Sequence, residues 1–243
     1  MQWIMAQADH IGGRTEQQDR TLILSAPTQQ RHLLVLADGM GGHSGGALAA
    51  QAVIDSAQTL WATTGQGHTV PHPPGLLWQV CSSAHAAIQA LGVRLNLDPH
   101  STCVVLYLDE AQGWFSHLGD SRLYHFRGTQ LQYRSKDHSL VQMLVDMGRV
   151  NEEDMGSHAE QGCLLKGLGG PEALELDYQQ LFIQPGDRLL LCSDGFWEQI
   201  RPSEMLSYTQ RSDLTQALSE LVALAVTRGG RNGDNVSVAV AVA

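Results

Sequence analysis

Short apolar or alternating runs recur along this chain at 3–8, 20–25, 32–37, 102–108, 113–118, 122–127, 130–134, 175–183, 188–193 and 235–242, many of them bounded by Gly, Pro or Asp. That spacing predicts strands. Between them lie Ala-rich amphipathic stretches at about 45–62 and 76–91, and a later one at about 213–228 opened by Ser212 or Asp213, which read as helices. Many strands with few intervening helices argue against a βαβ alternation. The pattern predicts an α+β architecture, a sandwich of antiparallel sheets with helices outside.

Two segments interrupt the pattern. GQGHTVPHPPG (65–75) is rich in Pro and Gly and reads as a surface loop without a packing role, so His68 and His72 are expected to be solvated. The second, about 138–171, opens with DHSLVQMLVDMGRV, a short amphipathic helix, and continues as the polar, glycine-punctuated NEEDMGSHAEQGCLLKGLGG. An insertion of this kind between strands suits a lid and equally a plain surface excursion.

Two apolar runs far apart stop in the same way, at Asp-Gly: HLLVLADGMGGH (32–43) and RLLLCSDGFW (188–197). Asp-Gly is a strong turn signal, and either copy alone could simply close a strand. Further aspartates beside glycines occur in FSHLGDSRLYHF (115–126) and GGRNGDNVSVAVAVA (229–243), and Asp19 adds another. Carboxylates delivered to the rim of a buried sheet are the ligands a hard cation takes, so the set points to a metal site.

Composition narrows the setting. At 243 residues, 43% apolar and 16% charged, the chain can bury a large core, and one domain fits better than two small ones. A formal charge of −10 argues against a broad nucleic-acid surface. The four cysteines, Cys81, Cys103, Cys163 and Cys192, form no C-x-x-C pair, and their contexts suggest buried thiols in a reducing cytoplasm. MQWIMAQADH lacks the basic and apolar regions of a secretory leader, and no stretch approaches the roughly 18 apolar residues of a membrane span. The expectation is a soluble, unsecreted, cytoplasmic protein without membrane or nucleic-acid partners.

Seven segments, in order, carry a resemblance: GGRTEQQDR (12–20), ADGMGGHSGGALAA (37–50), STCVVLYL (101–108), GDSRLY (119–124), KDHSL (136–140), CSDGFWE (192–198) and GDNVSV (233–238). The chain resembles the metal-dependent serine/threonine phosphatases of the protein phosphatase 2C type, in their compact bacterial form, over essentially its whole length. The resemblance implies a four-layer αββα sandwich, two central antiparallel sheets flanked by helices, in a single domain over 1–243, with a flap at about 138–171. It also implies two Mn²⁺ or Mg²⁺ ions, bridged by Asp38, with Asp194 and Asp234 completing the first site. The Gly39 carbonyl joins the second, which Asp19 reaches through water. A third, weaker ion would sit with Asp120 and Asp194. Arg14, five residues before Asp19, falls where the family grips phosphate, a task suited to a guanidinium fork. Lys136, Asp137 and His138 read as structural supports leading into the flap.

Two departures stand out. Gln17-Gln18 replaces the Asn-Glu of many members, so a water-mediated carboxylate contact becomes a neutral amide. Met40 stands where many eukaryotic members place a histidine as general acid; His43, further along the same turn, is the candidate to protonate the leaving group through water, beside the plainer reading of a loop-stabilising histidine. No C-x5-R loop and no G-x-x-x-x-G-K-[ST] loop occurs, which removes cysteine nucleophilic catalysis and this nucleotide-binding loop. The resemblance implies hydrolysis of phosphoserine and phosphothreonine in proteins by a monomer that opposes a bacterial Ser/Thr kinase. The rivals are a regulatory pseudophosphatase that only binds, against which the intact Asp38, Asp194 and Asp234 argue, and a phosphohydrolase of small phosphate esters or nucleotides.

Overall fold

The computed structural model of the protein describes residues 2–26, 30–41, 45–65, 70, 72–110 and 112–243. Its strands are β1 (Ile4–His10), β2 (Asp19–Ala26), β3 (Arg31–Met40), β4 (His100–Ser101), β5 (Cys103–Asp109), β6 (Gln112–Leu118), β7 (Arg122–Arg127), β8 (Gln130–Arg134), β9 (Gln179–Phe182), β10 (Arg188–Cys192) and β11 (Val236–Val242). One antiparallel sheet runs β1-β11-β10-β7-β8; the other runs β2-β3-β5-β6-β9, with the two-residue β4 beside β3. The helices are α1 (Gly45–Leu60), α2 (Pro73–Leu95), α3 (Leu140–Asp146), the single turn α4 (Asp194–Trp197), α5 (Pro202–Thr209) and α6 (Leu214–Gly229).

The central strands are apolar at nearly every position because each serves two cores. Along β3, Leu33, Val35 and Ala37 face the α1–α2 layer, while Leu34 and Leu36 face the opposite sheet. Strand β5 divides in the same way, Val105 and Tyr107 outward against Val104, Leu106 and Leu108 inward. In the other sheet, Leu190, Val238 and Val240 pack beneath α5 and α6, and Leu189, Leu191, Ala239 and Ala241 close the space between sheets. Period-two alternation persists, but both faces are buried, which gives three apolar layers between four of structure. The αββα sandwich expected from the resemblance is the architecture found.

Local chemistry sets the helix ends. Asp213, rather than Ser212, caps α6, its carboxylate accepting the Gln216 N–H at 2.9 Å. Ser139 caps α3 by accepting the Gln142 N–H at 3.2 Å. The second helix begins at Pro73, earlier than the expected 76, because proline in a first turn forfeits an N–H that has no helical partner. His72 caps it, Nδ1 accepting the Gly75 N–H at 2.9 Å, and Val70 packs on the core, so the 65–75 segment is more than a solvated loop. His68 lies outside the described residues. Of the run 175–183 only Gln179–Phe182 pairs as a strand, and helix α5 had no clear signal in the sequence. Three cysteines are buried, whereas Cys163 is exposed, because it lies in the polar excursion and not in a strand. Among the described residues, no helix is long and apolar enough to cross a membrane.

Candidate metal centre

Five aspartates converge where the two sheets meet, each delivered by the end of a strand. Asp19 opens β2 and sits opposite Asp38, near the end of β3, in the strand register. Asp120 follows Gly119, whose φ of 93° belongs to glycine, in the β6–β7 turn. Asp194 follows β10 and begins α4; Asp234 precedes β11. Carboxylate oxygens of Asp38, Asp120 and Asp194 all lie within 4.8 Å of one another. With Arg14, Gly39, Asp234 and Asn235 they line a cleft of about 490 Å³. The structure thus brings the candidate ligands together, and His43 lies outside the described residues.

Hydrogen bonds fix the carboxylates from behind. The Asp38 backbone is held by Thr102, whose Oγ1 accepts its N–H at 3.0 Å and whose N–H donates to its carbonyl at 2.8 Å. The Ser193 hydroxyl donates to Asp19 Oδ2 at 2.7 Å and itself accepts the Ser237 N–H at 3.0 Å, tying both sheets to one carboxylate. Asn235 accepts the Gln18 N–H and donates to the Ile11 and Glu16 carbonyls, which pins the Arg14-bearing loop. The Gln18 side chain donates to Glu16 at 3.0 Å and Gln17 accepts the Asp19 N–H at 3.2 Å, so the substituted pair braces its own loop. Gly39 is required by space: a Cβ there would meet the Gly46 carbonyl oxygen at 1.9 Å, where β3 runs into α1.

Further behind, Asp137 takes both Nε and an Nη of Arg122, at 2.7 and 2.6 Å, and Arg122 lies 3.3 Å over the Trp197 ring. The Trp197 indole Nε1–H donates to the Asp120 carbonyl at 2.9 Å, so this ion pair props the third-ion candidate. His138 stacks on His117, ring centroids 4.7 Å apart. The structural reading of the KDHSL segment fits these contacts. Its excursion is closed at the neck, with the Leu140 N–H donating to the Cys163 carbonyl at 2.9 Å and Ser139 bridging Leu164.

The electrostatics are those of a cation site. Burial, and then the neighbouring carboxylates, hold Asp38 and Asp120 well above the usual carboxylate range and raise Asp194. Asp19 is pushed up to about 7, mainly by burial and then, against the Ser193 hydrogen bond, by Asp194 and Asp234. Arg14, 57% exposed, donates to Asp234 at 2.6 Å. A cluster so underneutralised, all hard oxygen, fits one or more divalent cations.

Several contributors had no sequence signal of their own. Glu198 is raised to about 8 by burial and by Asp194 and Asp234, and it shares a neighbouring cavity with Gln161, whose amide donates to Asp194 at 3.4 Å. Glu198 stands in CSDGFWE, so its place after Asp194 was the only pointer. Thr102, Ser193 and Asn235 lie within quoted motifs, but their roles depend on partners distant in sequence.

A sequence profile described as protein phosphatase 2C matches residues 6–225. The serine/threonine protein phosphatase PstP of Mycobacterium tuberculosis is 33% identical over 217 residues, covering 86% of this chain and 40% of PstP. The chain thus spans about two fifths of that relative's length. The solved catalytic domain of PstP in complex with two manganese ions has a TM-score of 0.78 at 28% identity, covering 98% of this chain and 97% of that one. The serine/threonine phosphatase of S. agalactiae gives a TM-score of 0.88 at 25% identity and 99% coverage of both chains.

Proposed function

Since this chain belongs to the protein phosphatase 2C family, we propose that it hydrolyses phosphoserine and phosphothreonine in proteins with the help of divalent cations. The carrying observation is the Asp38–Asp120–Asp194 cluster, oxygens within 4.8 Å, at the floor of an open cleft. In this reading Asp38 would be shared between two Mn²⁺ or Mg²⁺ ions, Asp194 and Asp234 would help hold the first, and the Gly39 carbonyl and Asp19 would serve the second. Asp120 with Asp194 would hold a third. Such ions supply water acidified to a nucleophile near neutral pH, and neutralise phosphoryl charge. The single domain with its 138–171 flap, a monomeric state, a cytoplasmic setting and a cognate Ser/Thr kinase complete the proposal.

The chain's own residues do the positioning. Thr102 anchors the Asp38 backbone and Ser193 holds the Asp19 carboxylate from turning away, which keeps the site ready before substrate arrives. Arg14 would exchange its contact with Asp234 for two parallel hydrogen bonds to phosphate oxygens. Its exposure leaves it free to move.

The test is direct. The purified protein should release phosphate from a phosphothreonine peptide and from p-nitrophenyl phosphate when Mn²⁺ is present, and from neither in EDTA. Full activity after exhaustive chelation would refute the metal-dependent reading, and activity confined to the small ester would favour a small-molecule phosphohydrolase.

A second expectation concerns Arg14. Arg14→Ala should raise KM for the phosphopeptide by roughly 30- to 150-fold, the equivalent of about 2–3 kcal/mol of charge-assisted hydrogen bonding. The Mn²⁺ concentration for half-activation should fall, if it moves, because a cation beside Asp234 has been removed. An unchanged KM would leave Arg14 as an exposed side chain only.

A further inference from the structure

A second hollow, of about 630 Å³, forms a groove beside the carboxylate cleft. Its walls are mostly apolar: Met40, Leu118, Leu164, Leu165 and Leu174. Met40 and Leu164 line both hollows, so the groove continues directly from the site. One wall is the segment after the neck of the excursion, and it is firmly seated. Leu168 exchanges backbone hydrogen bonds with Ser101 at 2.8 and 3.1 Å, the Leu165 N–H donates to the His138 carbonyl at 2.8 Å, and the Gly169 N–H donates to His85 at 3.1 Å. Leu165 is nevertheless 56% exposed, an aliphatic side chain held over open space by an ordered backbone.

Charge at the rim is acidic. Lys166 is engaged by Glu175 at 3.3 Å, which leaves Glu172, exposed and without an ion pair among the described residues, facing the same hollow. We propose that this groove is a specificity subsite of the reading above. On that reading, it takes a large aliphatic side chain of an extended phosphopeptide close to the phosphorylated residue, and Glu172 favours a lysine or arginine beside it. Continuity with the cleft selects a chain running out from the phosphoryl group, and the apolar walls gain from an aliphatic side chain that leaves water. A phosphate ester with no flanking chain has nothing to place there.

The experiment uses the whole protein with Mn²⁺ and a panel of phosphothreonine peptides in a Gly/Ser background, with Leu moved through each flanking position and compared with Ser by kcat/KM. Leu should be preferred by about tenfold or more at one position on one side of the phosphothreonine, the scale on which a small apolar pocket discriminates. A Lys next to it should add a smaller gain, which Glu172→Gln removes. In Leu165→Glu the Leu-to-Ser ratio should collapse toward one, and in the milder Leu165→Ser it should fall part of the way. Both variants change an exposed side chain, and the ratio is read within one protein preparation.

Peptides hydrolysed without any Leu preference, or a preference that survives Leu165→Glu, would overturn the subsite while leaving the phosphatase reading intact. A dimer in light scattering that Leu165→Glu dissolves would give the groove to a second copy of the chain and overturn it equally. No hydrolysis of any phosphopeptide by the parent protein would overturn the underlying reading, and the subsite with it.

Discussion

Asp38→Asn should lower phosphatase turnover by more than about a hundredfold at saturating Mn²⁺ while making the metal-free protein more resistant to heat. Residues that merely support metal ligands already cost about 10- to 100-fold when replaced, and the carboxylate at the centre of the cluster must cost more. The stability gain comes from charge. In the folded protein burial, then Asp19, Asp194, Asp120 and Asp234, hold the Asp38 carboxyl well above its ordinary range. Below about pH 4 it is protonated whether the chain is folded or not, and contributes nothing. As pH rises, the unfolded chain loses that proton while the folded one keeps it, so stability is lost until the folded-state pKa is passed. Asparagine has no proton to lose. The gain in Tm over the parent, both in EDTA, should therefore be small near pH 4 and grow toward pH 8. Near-parental turnover at saturating metal would refute the role given to Asp38, and a gain largest in acid would refute its electrostatic origin.

The second large effect belongs to the ion pair behind the site. Arg122 and Asp137 have side chains only 6% and 1% exposed and meet in a two-pronged contact. Removing one partner strands a buried charge, which typically costs about 3–5 kcal/mol. Arg122→Ala should therefore lower the unfolding free energy measured in urea by that amount and Tm by roughly 6–20 °C in a chain of this size. Arg134, 3.5 Å from Asp137, offsets part of the loss, which places the result toward the lower end. Replacing both partners, as in Arg122→Met with Asp137→Leu, should cost less than Arg122→Ala alone, since no charge is then left unpaired. A single-variant loss below about 1 kcal/mol would mean that water reaches the pair.

The aspartates were legible in the sequence because their chemistry coincides with a strand ending: an apolar run fixes where the sheet stops, and the carboxylate lands on its rim. The double burial of β3, β5 and β10 was legible for the same reason, as runs too apolar for a sheet with one wet face. What escaped depends on neighbours the chain order does not reveal. Ser193 matters because Asp19, 174 residues away, needs a donor; Asn235 matters because its amide fits between the Ile11 and Glu16 carbonyls. Cys163 misled for the opposite reason, an apolar residue type set in a segment with no layer above it. The early start of α2 turned on His72, whose ring accepts an N–H as a serine would, a capping role that composition does not advertise.

Strand β11 lies between β1 and β10, pairing Ile4 with Val242 across nearly the whole chain. Contacts between residues so far apart form slowly, because a long loop must close before they repay its entropy. β11 also follows directly on Asp234, and Arg14 meets that carboxylate across 220 residues. A chain emerging from the ribosome can therefore lay down the β2–β3–β5–β6 sheet with α1 and α2 early, yet it lacks a central strand of the other sheet and one carboxylate of the cleft until residues 234–242 have emerged. On the proposed function, competence waits for that segment, and chains cut short before residue 234 carry no complete carboxylate site.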